Sequence, residues 1–187
     1  MEIISPTRGS RFPNARLGLF ITGLIIFACA LLGMRSVDWF LLKKSLRHKF
    51  TKVDWISTSE LADSLANKQR PAPVLLDVRT PEEWNVSHLP GARRVDPNVS
   101  AESVTAGLPK ETPIVTYCAV GYRSGEMADR LRAAGFTNVR NLEGSIFQWA
   151  NEHRPLVHED ERVSIVHPYN TFWGRLLNDD VRAPINK

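Results

Sequence analysis

The chain holds two cysteines, and one of them, Cys118, stands in the stretch IVTYCAVGYRSGEMADRL between an apolar run and a group of glycines and an arginine. Ile114 to Tyr117 reads as a short buried strand, and Glu126 to Ala134 reads as a helix with Met127, Leu131 and Ala134 on one face. Cys118 then falls in a strand-to-helix turn. A cysteine reacts as the thiolate, and the unpaired N–H groups and positive dipole end of a helix favour negative charge at such a turn. Gly121 and Gly125 permit the tight backbone that aims successive amides inward, and Arg123 adds a permanent positive charge. Strand, cysteine, glycine, arginine and helix, in that order, describe an anion cradle around a nucleophile. The plainer alternative is a buried, inert cysteine with Arg123 turned to solvent.

The elements that must hold this turn alternate along the chain from residue 53 onward. In ISTSELADSLA, Thr58 or Ser59 is the expected cap of a helix carrying Leu61, Ala62 and Leu65, and VLLDV (74–78) is an expected apolar strand. In RTPEEW, Thr80 is placed to cap, Pro81 to take the first helical position and Glu83 to close a capping box. ARRV (92–95) and NVRNL (138–142) read as strands, and SAESVTAGL and SIFQWANE (145–152) read as helices. Strands separated by helices indicate an α/β domain whose parallel sheet is covered on both faces, with function at the C-terminal ends of the strands.

A chain of 187 residues with 43% hydrophobic content has room for one such domain and accessories. Its net charge of +4 belongs to one end: residues 1–52 hold nine Lys and Arg against two acids, and the remainder holds fifteen against eighteen. A nucleic-acid groove on the domain is therefore not expected. Residues 17–34, LGLFITGLIIFACALLGM, carry no charge, and as a helix of about 1.5 Å rise per residue they come close to spanning a bilayer's apolar core. Trp39 and Phe40 follow, then Lys43, Lys44, Arg47, His48, Lys49 and Lys52. The expected organisation is an N-terminal segment (1–16), a transmembrane helix (17–34), a basic juxtamembrane linker (35–52), a domain (53–155) and a C-terminal extension (156–187). Six Lys and Arg after the apolar run, against three before it, place the domain on the cytoplasmic side. The alternative is an exported domain after signal cleavage, for which Ala28-Cys29-Ala30 offers small residues. Cys29 reads as a small apolar residue of the membrane helix, and a disulfide framework is not expected.

The stretch CAVGYRSGEMA is similar to the active-site loop of the rhodanese family of sulfurtransferases, whose single-domain members show Cys-x-x-Gly-x-Arg-Ser. Upstream, LLDVRTPEEWNVSHLPGA (75–92) resembles the family's Asp-Val-Arg, Glu, aromatic, His-x-Pro-Gly-Ala signature, and downstream VRNLEGSIFQW (139–149) resembles its last strand, glycine turn and helix. The resemblance implies a five-stranded parallel sheet flanked by helices, with Cys118 carrying sulfur as a persulfide. It implies a small sulfur anion such as thiosulfate as donor, a thiol, cyanide or protein as acceptor, and no cofactor or metal. Ala119, Val120, Gly121, Tyr122, Arg123 and Ser124 would hold the persulfide and the donor's anionic group. Asp77 and Arg79 would border the loop as fixing residues, and His88 would bond backbone within a turn. Ser87 and Ser145 stand where the family usually has glycine; both lie in turns and are expected to leave the chemistry untouched while shifting the geometry of the loops.

Two rivals were weighed against this reading. A cysteine phosphatase uses Cys-x5-Arg to widen the cradle for phosphate, whereas Cys118 to Arg123 is Cys-x4-Arg and the position needed for arginine is Ser124. A membrane-tethered binding module without turnover draws on the tail RVSIVHPYNTFWGRLLNDD (162–180), where Phe172, Trp173, Leu176 and Leu177 mark one face of a helix. That face has three readings: packing on the domain itself, lying in a membrane interface, or binding a partner. His153, His158 and His167 lack metal-ligand spacing and read as surface residues.

Overall fold

The computed structural model describes residues 38–185. The expected transmembrane segment 17–34 lies outside the described residues, and among those described no helix is long and apolar enough to cross a membrane. A helix runs over residues 38–49 (α1). It is followed by β1 (Asp54–Ile56), α2 (Thr58–Ala66), β2 (Val74–Asp77), α3 (Pro81–Val86), β3 (Arg93–Arg94), α4 (Ala101–Val104), β4 (Ile114–Tyr117), α5 (Tyr122–Ala133), β5 (Val139–Leu142) and α6 (Ser145–Asn151). The five strands form one sheet in the order β1-β5-β4-β2-β3, and every pair is parallel. The expected parallel α/β sheet is thus present. Its edge strand β1 was not marked individually in the sequence, because DWI is only three residues long and carries one buried side chain.

Strand β4 lies at the centre, and all four of its residues are buried. Side chains alternate between faces along a strand, so one apolar run supplies two cores. Leu75, Val115 and Tyr117 join Ile146, Phe147 and Trp149 of α6 on one side. Leu76 and Ile114 join Met127, Ala128 and Leu131 of α5 on the other, where Leu46 and Phe50 also lie. Those last two belong to the stretch expected as a basic linker. Instead, α1 and the residue that follows it carry Leu46 and Phe50 into the second core while the helix's bases bind the domain surface. Arg47 Nε donates to Glu143 at 2.8 Å, and Lys49 Nζ donates to the Tyr122 hydroxyl at 2.6 Å. The run reads as a linker by charge because only a narrow stripe of the helix is apolar.

Helix starts follow capping chemistry. Thr80 and Glu83 form the expected capping box of α3, with Pro81 in the first turn. The cap of α2 is Ser57, one residue before the expected pair, and Glu60 closes its box. Thr58 instead donates its hydroxyl to the Glu152 carboxylate at 2.7 and 2.8 Å. Helix α5 begins at Tyr122 rather than at Glu126, because Gly121 takes a left-handed conformation (φ 114°) and turns the chain directly from the loop into the helix. Gly125 therefore sits in the first turn of α5 and does not shape the loop. Its role is close approach: a Cβ there would lie 2.6 Å from the Phe50 ring.

The extension folds onto the domain. Strands β6 (Leu156–His158) and β7 (Glu161–Val163) form an antiparallel hairpin, and two short 3₁₀ turns follow at Trp173–Leu176 and Asp179–Val181. The face expected from Phe172, Trp173, Leu176 and Leu177 is one 3₁₀ turn, in which Leu176 and Leu177 are buried in the first core and Phe172 is 59% exposed. Of the three readings of that face, packing on the domain is the one observed for the two leucines.

The Phe50–Gly125 contact gives a stability prediction. Gly125→Ala alone is destabilising, because the ring cannot yield without disturbing the core. Phe50→Ala alone costs about 3–5 kcal/mol. In the Phe50→Ala background, Gly125→Ala costs less than in the wild type, because the ring is gone and only the 3.2 Å approach to Asn141 Nδ2 remains, offset by alanine's better helix propensity. Urea unfolding of the four proteins checks this coupling.

Candidate active site

Cys118 directly follows the central strand, so its backbone position is set by the most buried element of the sheet. The loop it opens is clasped from two sides. From α6 and its turn, the N–H groups of Ile146 and Phe147 each donate at 3.1 Å to the carbonyls of Cys118 and Ala119. From β5, Asn141 Nδ2 donates to the Gly121 carbonyl at 2.8 Å. The left-handed turn at Gly121 then folds its own N–H back onto Cys118 Sγ at 3.1 Å, and the Ser124 hydroxyl approaches the same sulfur at 3.5 Å. Both donors place partial positive charge against Sγ, which stabilises negative charge on it.

Ser145 bears on the geometry of the loop through its side chain as well as its turn. Its backbone is left-handed (φ 50°), its side chain is buried, and its hydroxyl accepts the Cys118 N–H at 3.2 Å while donating to Leu142 O at 3.2 Å. A glycine there would supply the conformation and leave the cysteine's amide without that acceptor. Ser87, at the other such position, donates no hydroxyl bond among the described residues; its carbonyl accepts from Arg79 Nη2 at 2.6 Å.

Arg123 lines the site but is not a free cation. Its two terminal nitrogens donate to both oxygens of Glu83 at 2.7 and 2.8 Å, and the Tyr169 ring lies 4.9 Å from the guanidinium carbon. Burial opposes charge on Arg123, yet the Glu83 hydrogen bonds and the neighbouring negative groups win and hold it above its ordinary range. Burial likewise opposes charge on Glu83, and the Arg123 guanidinium wins, holding its carboxyl below the ordinary carboxylate value. The carboxylate that closes the α3 capping box thus also fixes the loop arginine. The capping role was legible in the sequence. The ion pair was not, because its partners stand 40 residues apart.

Asp77 and Arg79 form a fully buried pair, with Arg79 Nη2 2.6 Å from Asp77 Oδ2. Arg79 also ties the Glu83 and Ser87 carbonyls, so the pair braces the β2–α3 connection beneath the loop. Neither residue lines the pocket at Cys118. His88 stacks on Trp84 at 3.5 Å and exchanges backbone hydrogen bonds with Val157, and burial pushes its imidazole toward the neutral form. It too stands outside the pocket, as a turn residue.

The pocket has a volume of about 150 Å³ and is lined by Cys118, Ala119, Val120, Tyr122 and Arg123 from the loop and α5, and by Tyr169 and Trp173 from the extension. Cys118 itself is only 1% exposed, at the pocket floor. Of the sequence-expected site residues, five line the pocket, while Gly121 and Ser124 act from beneath through Sγ. Tyr169 was not anticipated, and Trp173 was marked only as part of an apolar face. The aromatic content of PYNTFW was the available signal.

A buried cysteine at the C-terminal end of a central parallel strand, bonded by the turn that follows it, defines an α/β domain whose pocket is built around a thiol. The family model for the rhodanese-like domain matches residues 57–152, about half of the chain, and the chain belongs to that family. It is 35% identical over 101 residues to the probable adenylyltransferase/sulfurtransferase MoeZ of Mycobacterium tuberculosis, covering 54% of this chain and 25% of that protein. It is 30% identical over 105 residues to a sulfurtransferase of Allochromatium vinosum, covering 56% of this chain and 95% of that one. To the thiosulfate sulfurtransferase GlpE of Tolumonas auensis it is 31% identical over 81 residues, covering 43% of this chain and 76% of the other. Among solved structures, the Alr3790 protein of Anabaena sp. superposes with a TM-score of 0.52 at 26% identity, over 56% of this chain and 82% of that one.

The Glu83–Arg123 pair predicts a defined pH response. Because the folded carboxyl titrates below its ordinary value of 4.5, the pair's contribution is complete above that pH and is lost as the pH falls through the lower, folded value. Glu83→Gln costs about 2 kcal/mol at neutral pH, less than the roughly 3–5 kcal/mol of a fully buried pair because Arg123 keeps some access to water. The gap in unfolding free energy between wild type and Glu83→Gln therefore narrows as acid is added below pH 4.5. Urea titrations across that range measure it.

Proposed function

We propose that the chain is a sulfurtransferase that carries sulfane sulfur as a persulfide on Cys118. The observation that supports this best is the setting of Sγ: a pocket floor, an N–H and a hydroxyl aimed at the sulfur, and no carboxylic acid or histidine among the described residues lining the pocket. The Cys118 thiolate attacks the outer sulfur of thiosulfate. One S–S bond forms as thiosulfate's own S–S bond breaks, and sulfite departs with the bonding pair. An acceptor nucleophile (cyanide, a thiolate or a protein group) then attacks the outer persulfide sulfur, and Cys118 leaves as the thiolate. Sulfite needs no proton to depart, whereas the alkoxide of a phosphate ester commonly does. A pocket without such an acid therefore favours sulfur transfer over phosphoester hydrolysis, in agreement with the Cys-x4-Arg spacing.

The amides that follow Cys118 in the loop and the first turn of α5 hold the donor's oxygens, in the manner of other anion-binding turns. Arg123 contributes by shaping the wall and lending field, with its hydrogen-bonding edge already given to Glu83. Thiosulfate is expected to add one sulfur atom to Cys118, resolved from Cys29 by peptide mapping under non-reducing conditions, and cyanide is expected to remove it as thiocyanate. A folded wild-type protein that takes up no sulfur, or sulfur loading by Cys118→Ser equal to that of the wild type, overturns the mechanism and leaves the binding-module reading.

We further propose that residues 17–34 anchor the protein as a single membrane-spanning helix, with the described domain on the cytoplasmic side. The support is the uncharged run and the six Lys and Arg between Arg35 and Lys52. Proteolysis of sealed vesicles of known orientation, read with an antibody to the C-terminal tail, is expected to protect the tail in right-side-out vesicles and to leave the N-terminus intact by mass. A mature N-terminus near Leu31, or a tail digested from outside, means an exported domain.

A further inference from the structure

The family match ends at residue 152, yet two of the seven residues around the pocket, Tyr169 and Trp173, come after it. Both are held in place by the extension's own construction. Tyr169 takes a left-handed conformation (φ 63°) that a bulky side chain seldom adopts, and its N–H donates to His167 Nδ1 at 3.0 Å. That conformation lays its ring over the guanidinium of Arg123. Trp173 donates its N–H to Asn170 Oδ1 at 2.9 Å, and the next residue, Gly174, lies so close to Pro168 that a Cβ would come within 2.8 Å of it. Arg182 Nε holds the Gly174 carbonyl at 2.8 Å. Asn151, at the end of α6, then donates to Leu176 O at 2.7 Å and accepts the Asn178 N–H at 2.8 Å. The start of α6 clasps the Cys118 loop, so one helix fixes both the nucleophile and the aromatic wall that faces it.

This wall decides what can reach the sulfur. A pocket of about 150 Å³ lies well below the roughly 300–1,000 Å³ of sites for drug-sized ligands. Thiosulfate, with its five heavy atoms, is small beside such ligands. We propose that Tyr169 and Trp173 are specificity-determining residues that confine Cys118 to compact donors and acceptors, of the size of thiosulfate or cyanide, and exclude tripeptide-sized thiols such as glutathione. The chemistry of these donors rests on the sulfurtransferase reading above; the size restriction rests on the pocket alone.

The test therefore uses two readouts on the full chain in detergent. First, alkylation of Cys118 is followed by peptide mapping with iodoacetamide and with fluorescein maleimide, each rate divided by that of free cysteine. In the wild type the normalised maleimide rate is expected to fall at least about tenfold below the iodoacetamide rate, and Trp173→Ala and Tyr169→Ala are each expected to close most of that gap. Trp173→Phe, which keeps a ring in place, is expected to preserve most of it. Second, the sulfur-loaded protein is unloaded with cyanide or glutathione; cyanide is expected to act on the wild type, and glutathione only on the alanine variants. Equal normalised rates for the two reagents in the wild type, or a gap unchanged in both alanine variants, overturns the proposal. Should Trp173→Ala unfold, the half-exposed Tyr169 provides the deciding variant. A wild type that takes up no sulfur but keeps the alkylation gap refutes the sulfurtransferase reading and upholds the wall. One that loads and gives its sulfur equally to cyanide and glutathione does the reverse.

Discussion

A carboxylate almost wholly removed from water must be paired and hydrogen-bonded, and that requirement on Glu83 organises the site. Its oxygens receive the Thr80 N–H at 3.1 Å and both terminal nitrogens of Arg123, so one group ends the β2–α3 connection and holds the first turn of α5. These are the segments that leave the C-terminal ends of two adjacent strands, β2 and β4. Were the pair displaced, Arg123 would lose its anchor and Tyr169 the flat cation beneath its ring. Arg123 is thereby a structural hinge point between domain and extension as well as a wall of the pocket. A free cation in its place would attract anions more strongly but would have nothing to fix its direction.

The loop itself depends on backbone satisfaction. Between Cys118 and Gly121 the chain makes no regular structure, and its polar groups find partners in Ile146, Phe147, Ser145 and Asn141. All four belong to β5, α6 or the turn between them, so the last third of the domain serves as a mould for the reactive loop. Helix α1 adds a second mould from the opposite side: Leu46 and Phe50 fill space beneath Gly121 and Gly125, and Lys49 reaches the Tyr122 hydroxyl at the rim. The basic run thus combines a charge pattern suited to membrane orientation with an apolar stripe suited to the core.

What could be read from the sequence was what depends on neighbours in the chain. The β4 strand, a tight backbone turn at Gly121 and the Thr80–Glu83 capping box are local patterns, and each was legible. Their combination with the DVR and SHLPGA stretches carried the family. What escaped was tertiary: the start of α5 moved to Tyr122 because the turn needs only one glycine, which freed Gly125 to admit Phe50. The tie from Ser145 to the loop escaped too, since nothing in its neighbourhood says that a cysteine amide 27 positions earlier lies within reach of its hydroxyl. Residues 38–49 read as a linker for a related reason, because charge dominates their composition while only a narrow apolar stripe of Trp39, Leu42 and Leu46 packs against the cores.

The extension adds two aromatic side chains to the pocket without altering the loop that carries Cys118. Leu156, Val166, Leu177 and Val181 are buried in the same core as Phe147 and Trp149, so the extension is held by apolar packing that owes nothing to the site. With the attachment secured there, the segment from His167 to Gly174 can hold the uncommon backbone of Tyr169 and still point two rings at the pocket. A residue in a sparsely populated conformation persists only where its surroundings over-determine it, and here they include His167 Nδ1 on the Tyr169 N–H and the Arg123 guanidinium at its ring, next to a turn tightened by the close approach of Gly174 to Pro168. The wall is thus built by contacts within the extension and with α5, and none of them belongs to the loop between Cys118 and Gly121.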